Sequence, residues 1–198
     1  MSTEDLGGPK AIYSVWLDLG QQVFQGTQSS DILEASTSLM RAALEHLKKS
    51  PELFQQITDN DLQLMLDGVQ ICNEAEIRAN WLRMLGLLGC LLPEVLVKKI
   101  IEFILDASLK EVDVWTISEA VDALMDMFSD NDWNQISYEL NLVSKSAQLL
   151  RILKNKLKQQ KKELGERYPA VCTVRTNLSR FAKYIEQQQR KYKPIVKN

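Results

Sequence analysis

The chain has 198 residues, 45% hydrophobic and 25% charged, which is enough apolar material for a core and too much for a disordered tail. Eight Gly and five Pro leave little raw material for the many tight turns of a β-sandwich or barrel, so helices are favoured. No apolar run reaches the ~18 to 20 residues of a membrane span, and the polar opening Met1 to Lys10 reads as neither a signal nor a basic transit peptide, which predicts a protein of cytoplasm and nucleus.

Pro9 suits a first helical turn, where its missing N–H is no loss, and Ile12, Trp16, Leu19 and Val23 follow at helical spacing. Gly26 to Ser30 is a polar break, with Ser30 or Asp31 able to cap the next helix. That helix is predicted to bury Ile32, Leu39, Met40, Ala43, Leu44 and Leu47 and to stop before Pro51. Pro51 to Ile57 makes a short extra turn, and Thr58 to Asp61 opens a helix carrying Leu62, Met65, Leu66 and Val69. After Asn73, a helix from Glu74 to about Leu92 presents Ile77, Trp81, Leu85 and Leu88.

Pro93 starts the next helix, with Leu96, Ile100, Ile101, Ile104 and Leu105, and Asp106 to Ser108 reads as a turn. From Val112 to Phe128 the apolar set is Trp115, Ile117, Val121, Leu124, Met125 and Phe128. Trp133, Ile136, Leu140, Val143, Ala147, Leu150 and Leu157 keep helical spacing as far as Leu164, as one long helix or two with a kink. Gly165 is a helix stop, and Val174, Leu178, Phe181 and Ile185 define a last helix that frays into Gln187 to Asn198.

These helices group into pairs over about 9–49, 51–92, 93–128 and 132–164, with a terminal helix over about 170–190. The second members centre near residues 40, 83, 120 and 150; the first two intervals, 43 and 37, sit near the ~40 to 47 residues of HEAT and armadillo units, and the last, 30, is short. The helices over 93–105 and 112–128 are apolar around much of their circumference, as inner members of a stack are, whereas a single globular bundle is the alternative. The expected fold is therefore all-α: a HEAT/armadillo-type α-solenoid of antiparallel helix pairs in a right-handed superhelix, closed by a basic C-terminal capping helix.

Cys72, Cys90 and Cys172 lack CxxC spacing and accompany one histidine, so reduced thiols are expected and no zinc site. His46, between Glu45 and Leu47 on an amphipathic helix, is expected at the surface. There is no phosphate-loop motif, because Leu85 to Gly89 lies inside a helix, and the carboxylate pairs come with no nucleophile. Neither catalysis nor a cofactor is expected.

The net charge of −2 conceals a segregation: residues 1–142 hold 9 Lys and Arg against 23 Asp and Glu, and residues 143–198 hold 15 against 3. An acidic body with a basic end suits a basic client, a nucleic-acid contact at the tail, or one half neutralising the other. Within the body, Glu119, Asp122 and Asp126 share one helical face, with Trp115 a turn earlier and Asp130 just beyond. They are candidates for partner binding, against the alternative of a solvated face with Trp115 in the core. Glu76, Asn80 and Arg83 form a similar line of mixed sign one pair earlier. At the basic end, Arg151, Lys154, Lys156, Lys158, Lys161 and Lys162 flank an apolar stripe, and three readings stay open: a solvated helix face, a phosphate or nucleic-acid contact, or a nuclear localisation signal.

Ile77 to Asn80 followed by Leu85 to Gly89 resembles the second helix of a HEAT repeat, where Ala79, Gly86 and Gly89 allow close helix approach. Leu6-Gly7-Gly8, the stretch Glu119 to Asp130 and the stretch Val174 to Tyr184 are more specific, and together they resemble the C-terminal region of the symportin family, also called HEAT repeat-containing protein 3. The resemblance covers nearly the whole chain. It implies the HEAT part of an Arm/HEAT superhelix, and a role in carrying new ribosomal proteins of the 5S ribonucleoprotein to the nucleus with an importin-β-type receptor, shielding their RNA-binding surfaces. The family's front armadillo repeats, long acidic loop and receptor-binding signal do not occur in this sequence, which looks like a fragment or short form.

Overall fold

A computed structural model describes residues 8–24, 29–71, 73–129, 141–165 and 169–191. The helices are α1 (Gly8–Phe24), α2 (Ser30–Leu47), α3 (Asp59–Ile71), α4 (Ala75–Gly89), α5 (Glu94–Lys110), α6 (Val114–Ser129), α7 (Leu142–Leu164) and α8 (Pro169–Lys191), with a 3₁₀ turn at Pro51–Gln56. Among the described residues there is no strand.

Local chemistry sets several of the boundaries. Thr58 and Asp61 form a reciprocal capping box at the start of α3: Asp61 N–H donates to Thr58 Oγ1 (3.2 Å) and Thr58 N–H donates to Asp61 Oδ2 (2.9 Å). The Asp106 to Ser108 stretch expected as a turn is helical, and α5 runs on to Lys110. Ser108 buries its hydroxyl by donating back to Ile104 O, so this polar residue does not break the helix. The break falls at Glu111–Asp113, where Glu111 Oε1 accepts the N–H groups of Val112 and Asp113 and Asp113 Oδ1 accepts that of Thr116 (2.7 Å). Gly165, at φ 84°, ends α7, its N–H bonding Lys161 O.

The helices pack as two rows. One row runs α1, α3, α5, α7 and the other α2, α4, α6, α8, each helix touching the next in its row and its partner in the other. A chain of such antiparallel pairs is an all-α repeat solenoid. Apolar stripes from both rows meet between them. Trp81 is fully buried on α4 and donates its indole N–H to Met65 O on α3 (2.7 Å). At the first pair, Tyr13, Trp16 and Phe54 interlock edge to face and stacked, fastening α1 to the 3₁₀ turn.

The sequence expectation joined residues 132–164 as a pair and left 170–190 as a cap; residues 132–140 lie outside the described residues, and among those described the last two helices pair with each other. Here α7 lies in the first row against α5, with Lys145 facing Asp106, and α8 fills the second-row place beside α6. Buried Asn177 donates to Ser118 Oγ (3.0 Å), Tyr184 stacks on Phe128 at 4.9 Å, and Phe181 is fully buried. The cationic residues around α8 disguised an inner-row stripe as a cap. Helix α7 starts at Leu142, and Trp133, Ile136 and Leu140 lie outside the described residues. Its deepest stripe is Leu142, Ser146, Leu149, Leu153 and Leu157, while Val143, Ala147 and Leu150 are half-buried beside it.

The first pair also departs from expectation. Ile32 and Leu39 are 48% and 58% exposed, whereas Met40, Leu44 and Leu47 on the same helix are buried. Helix α2 has α4 on one side, and no described helix covers the flank bearing Ile32 and Leu39.

Candidate partner-binding faces

The second row is held together by an unusually close approach of α4 and α6. A Cβ built at Gly86 would stand 2.5 Å from the Cβ of Ala123, and one at Gly89 would stand 2.5 Å from Met127 Cε. The two helices run parallel, Ala75 at the start of α4 accepting a hydrogen bond from the Thr116 hydroxyl (2.9 Å) at the start of α6. Beside that contact, Arg78 grips Glu111 with two hydrogen bonds, Nε to Oε2 (2.8 Å) and Nη2 to Oε1 (3.0 Å), and donates from Nη1 to Asn73 O (2.6 Å). Burial alone would raise the Glu111 pKa. Hydrogen bonds from Arg78, Asp113 and Val112, with the Arg78 charge, outweigh it and hold the carboxyl below its ordinary value.

This close, parallel packing fixes which side chains share the outward face of the second row. From α4 it presents Glu76, exposed, with Asn80 and Arg83, half-buried. From α6 it presents Trp115, Glu119, Asp122 and Asp126, all half-buried, so all the partner-binding candidates from both helices fall on one surface. Asp130 lies outside the described residues.

The carboxylates of that surface are not equivalent. Arg83 spans Asp122 and Asp126, its Nη1 lying 3.0 Å from Asp122 Oδ2 off the hydrogen-bond axis and its Nη2 2.7 Å from Asp126 Oδ2. Arg180 of α8 reaches the other oxygen of Asp122. Asp122 is therefore clamped between two guanidinium groups and much of the stripe's charge is neutralised within the fold, an outcome that the lone helical spacing of Glu119, Asp122 and Asp126 could not reveal. The parallel line Glu76, Asn80 and Arg83 contained the signal, because a cation one repeat earlier at matching register is placed to pair across the row. Glu119 is different: no described residue hydrogen-bonds it or forms an ion pair with it. Burial, the largest influence, raises its pKa; Arg83 opposes this, Asp122 adds to it and Arg41 of α2 opposes it, leaving the carboxyl above its ordinary value.

On α7, Arg151, Lys154, Lys158 and Lys162 are exposed and Lys161 is half-buried. Lys156 turns inward, donating to Val112 O (2.7 Å). His46 is exposed, Cys90 and Cys172 are half-buried, and Cys72 lies outside the described residues. No cluster of potential metal ligands occurs among the described residues, and none of their helices is long and apolar enough to cross a membrane. A cleft of about 620 Å³ opens beside the Arg78–Glu111 pair, lined also by Glu102, Phe103, Asp106 and Lys110, and among the described residues no Ser, His or Cys lines it.

Paired helices in two continuous rows, with the polar chemistry spread along a row instead of converging in a pocket, define a helical-repeat scaffold. Within that class the chain belongs to the SYO1-like family with TPR repeats, whose model matches residues 1–189. This agrees with the symportin resemblance read from the sequence motifs. The chain is 25% identical to the human (Homo sapiens) HEAT repeat-containing protein 3 over 202 residues and 26% identical to that of the mouse (Mus musculus) over 203. Each match covers 96% of this chain and 30% of the relative, so the chain spans less than a third of their length. No solved structure matches it.

Proposed function

We propose that the chain is a non-catalytic binding segment whose outward second-row face receives a basic protein client in the cytoplasm and nucleus. The observation that carries this reading is Glu119, a half-buried carboxylate that no described residue hydrogen-bonds or ion-pairs, on a surface whose neighbouring acids are matched by Arg83 and Arg180. A cationic side chain from a partner satisfies it, with exposed Glu76 on the rim and half-buried Trp115 as an aromatic anchor. The membership of the SYO1-like family supports a scaffold role. The symportin resemblance supports basic ribosomal proteins of the 5S ribonucleoprotein as clients, with an importin-β-type receptor as a further partner.

Glu119→Gln is the discriminating variant. Reversing Asp122 and Asp126 would set Lys against Arg83 and Arg180 and disturb the row itself, whereas Gln at 119 keeps size and helix propensity. Calorimetric titration of the folded variant with such a ribosomal protein is expected to show at least tenfold weaker binding, and an unchanged Kd rejects the face as the client site.

A further inference from the structure

The end of the stack formed by α7 and α8 carries a second surface of opposite sign. Lys145 and Lys156 mark the side of α7 that faces α5, through Asp106 and Val112 O. Lys154 and Lys158 lie two residues either side of Lys156, hence about 200° around the helix, on the face turned away from the stack. Arg151 joins them one turn earlier. On α8, Asn177 and Arg180 mark the side facing α6, and exposed Arg175, two residues before Asn177 and five before Arg180, is turned away from both. Arg151, Lys154 and Lys158 form no ion pair with a described residue, while Lys145, Arg180 and Arg190 each have a carboxylate partner.

A surface that concentrates cations and leaves them unneutralised, in a protein of net charge −2, attracts a polyanion locally and not through overall charge. From Arg151 to Lys158 is a rise of about 10 Å, the length of about three phosphates on a strand bearing one charge per ~3.4 Å. The exposed large hydrophobic residues among those described are Val15, Ile32, Leu39, Leu64, Val95 and Val112, so the described residues of α7 and α8 present no exposed aromatic ring for base stacking; Phe181 is buried and Tyr184 is stacked on Phe128. Cations without stacking rings suit a paired backbone and carry no base readout. We infer that the α7–α8 end of the solenoid holds the phosphate backbone of a nucleic-acid duplex, a site separate from the Glu119 face.

The test uses the full chain and a fluorescent RNA duplex of about 20 base pairs in a salt series from about 50 to 200 mM. Lys154→Glu with Lys158→Glu is compared with Lys48→Glu with Lys49→Glu, an exposed pair at the far end of the stack that changes net charge equally; circular dichroism checks the fold, and Lys154→Gln with Lys158→Gln serves if reversal disturbs the helix. The expected result is salt-sensitive binding, weakened at least tenfold by the α7 reversal and less than twofold by the control. Equal losses in the two variants overturn the site, as does an absence of binding at low salt. Tighter binding of a single strand, or of polyglutamate, than of the duplex overturns the choice of ligand.

Discussion

Gly86 and Ala123 meet at a point where neither helix has room for another carbon: a Cβ on Gly86 would come within 2.5 Å of Ala123 Cβ and 2.8 Å of its Cα. Since backbone cannot yield as a flexible side-chain tip does, Gly86→Ala must push α4 from α6. The gain of ~1 kcal/mol in helix propensity is set against an overpacking cost of about 1 to 3 kcal/mol or more. A net loss of stability in urea titration is expected, partly recovered by adding Ala123→Gly. A more stable single variant would refute the close approach.

Arg78 and Glu111 bind the turns ahead of α4 and α6, with side chains only 20% and 8% exposed. Arg78→Met leaves a carboxylate in that setting without its cation, for an expected loss of about 2 to 3 kcal/mol. Because the folded Glu111 pKa is depressed, the stabilisation is present above the unfolded carboxyl pKa, about 4.3, and is lost as pH falls through the folded value. The gap between wild type and variant should therefore be wide at neutral pH and narrow in acid; a constant gap assigns the loss to packing alone.

Helical spacing made the α-helices and most of their buried stripes legible in sequence, because a periodic apolar face records burial directly. Ala79, Gly86 and Gly89 also announced close packing, which the contacts of Gly86 with Ala123 and Gly89 with Met127 show. Row membership was not legible: α7 and α8 each carry a stripe of similar kind, and only their contacts with α5 and α6 distinguish the partner helix from a cap. The candidate acidic and mixed lines on α6 and α4 were visible separately, but their neutralisation by Arg83 and Arg180 depends on inter-repeat register, which spacing within one helix does not encode.

Leu39 and Leu44 lie on the same helix, one 58% exposed and one fully buried. Spacing alone treated them alike. Leu44→Ala should cost about 2 to 5 kcal/mol through lost burial and the cavity left behind, whereas Leu39→Ala should fall within about 0.5 kcal/mol of wild type. Chemical denaturation of the two variants measures the contrast. A large loss at Leu39 would mean that a neighbour covers this flank of α2 in solution.

Glu119 gives a prediction in which stability and binding move oppositely. Its folded pKa is raised by burial above the unfolded value, so the folded state prefers the neutral acid: the associated stability is fully present below the unfolded carboxyl pKa, about 4.3, and is lost as pH rises through the folded pKa. At pH 7 the ionised carboxylate is thus a cost to the fold. Gln removes that charge while keeping the side chain's shape, so Glu119→Gln should raise Tm at pH 7, and the difference should close as the pH falls below about 4. Attraction to Arg83 and Arg41 works against this outcome. A variant with lower Tm at pH 7 would show that these cations outweigh burial and that Glu119 serves the fold. A higher Tm coupled with loss of client affinity would show a residue that costs folding energy and is used for recognition.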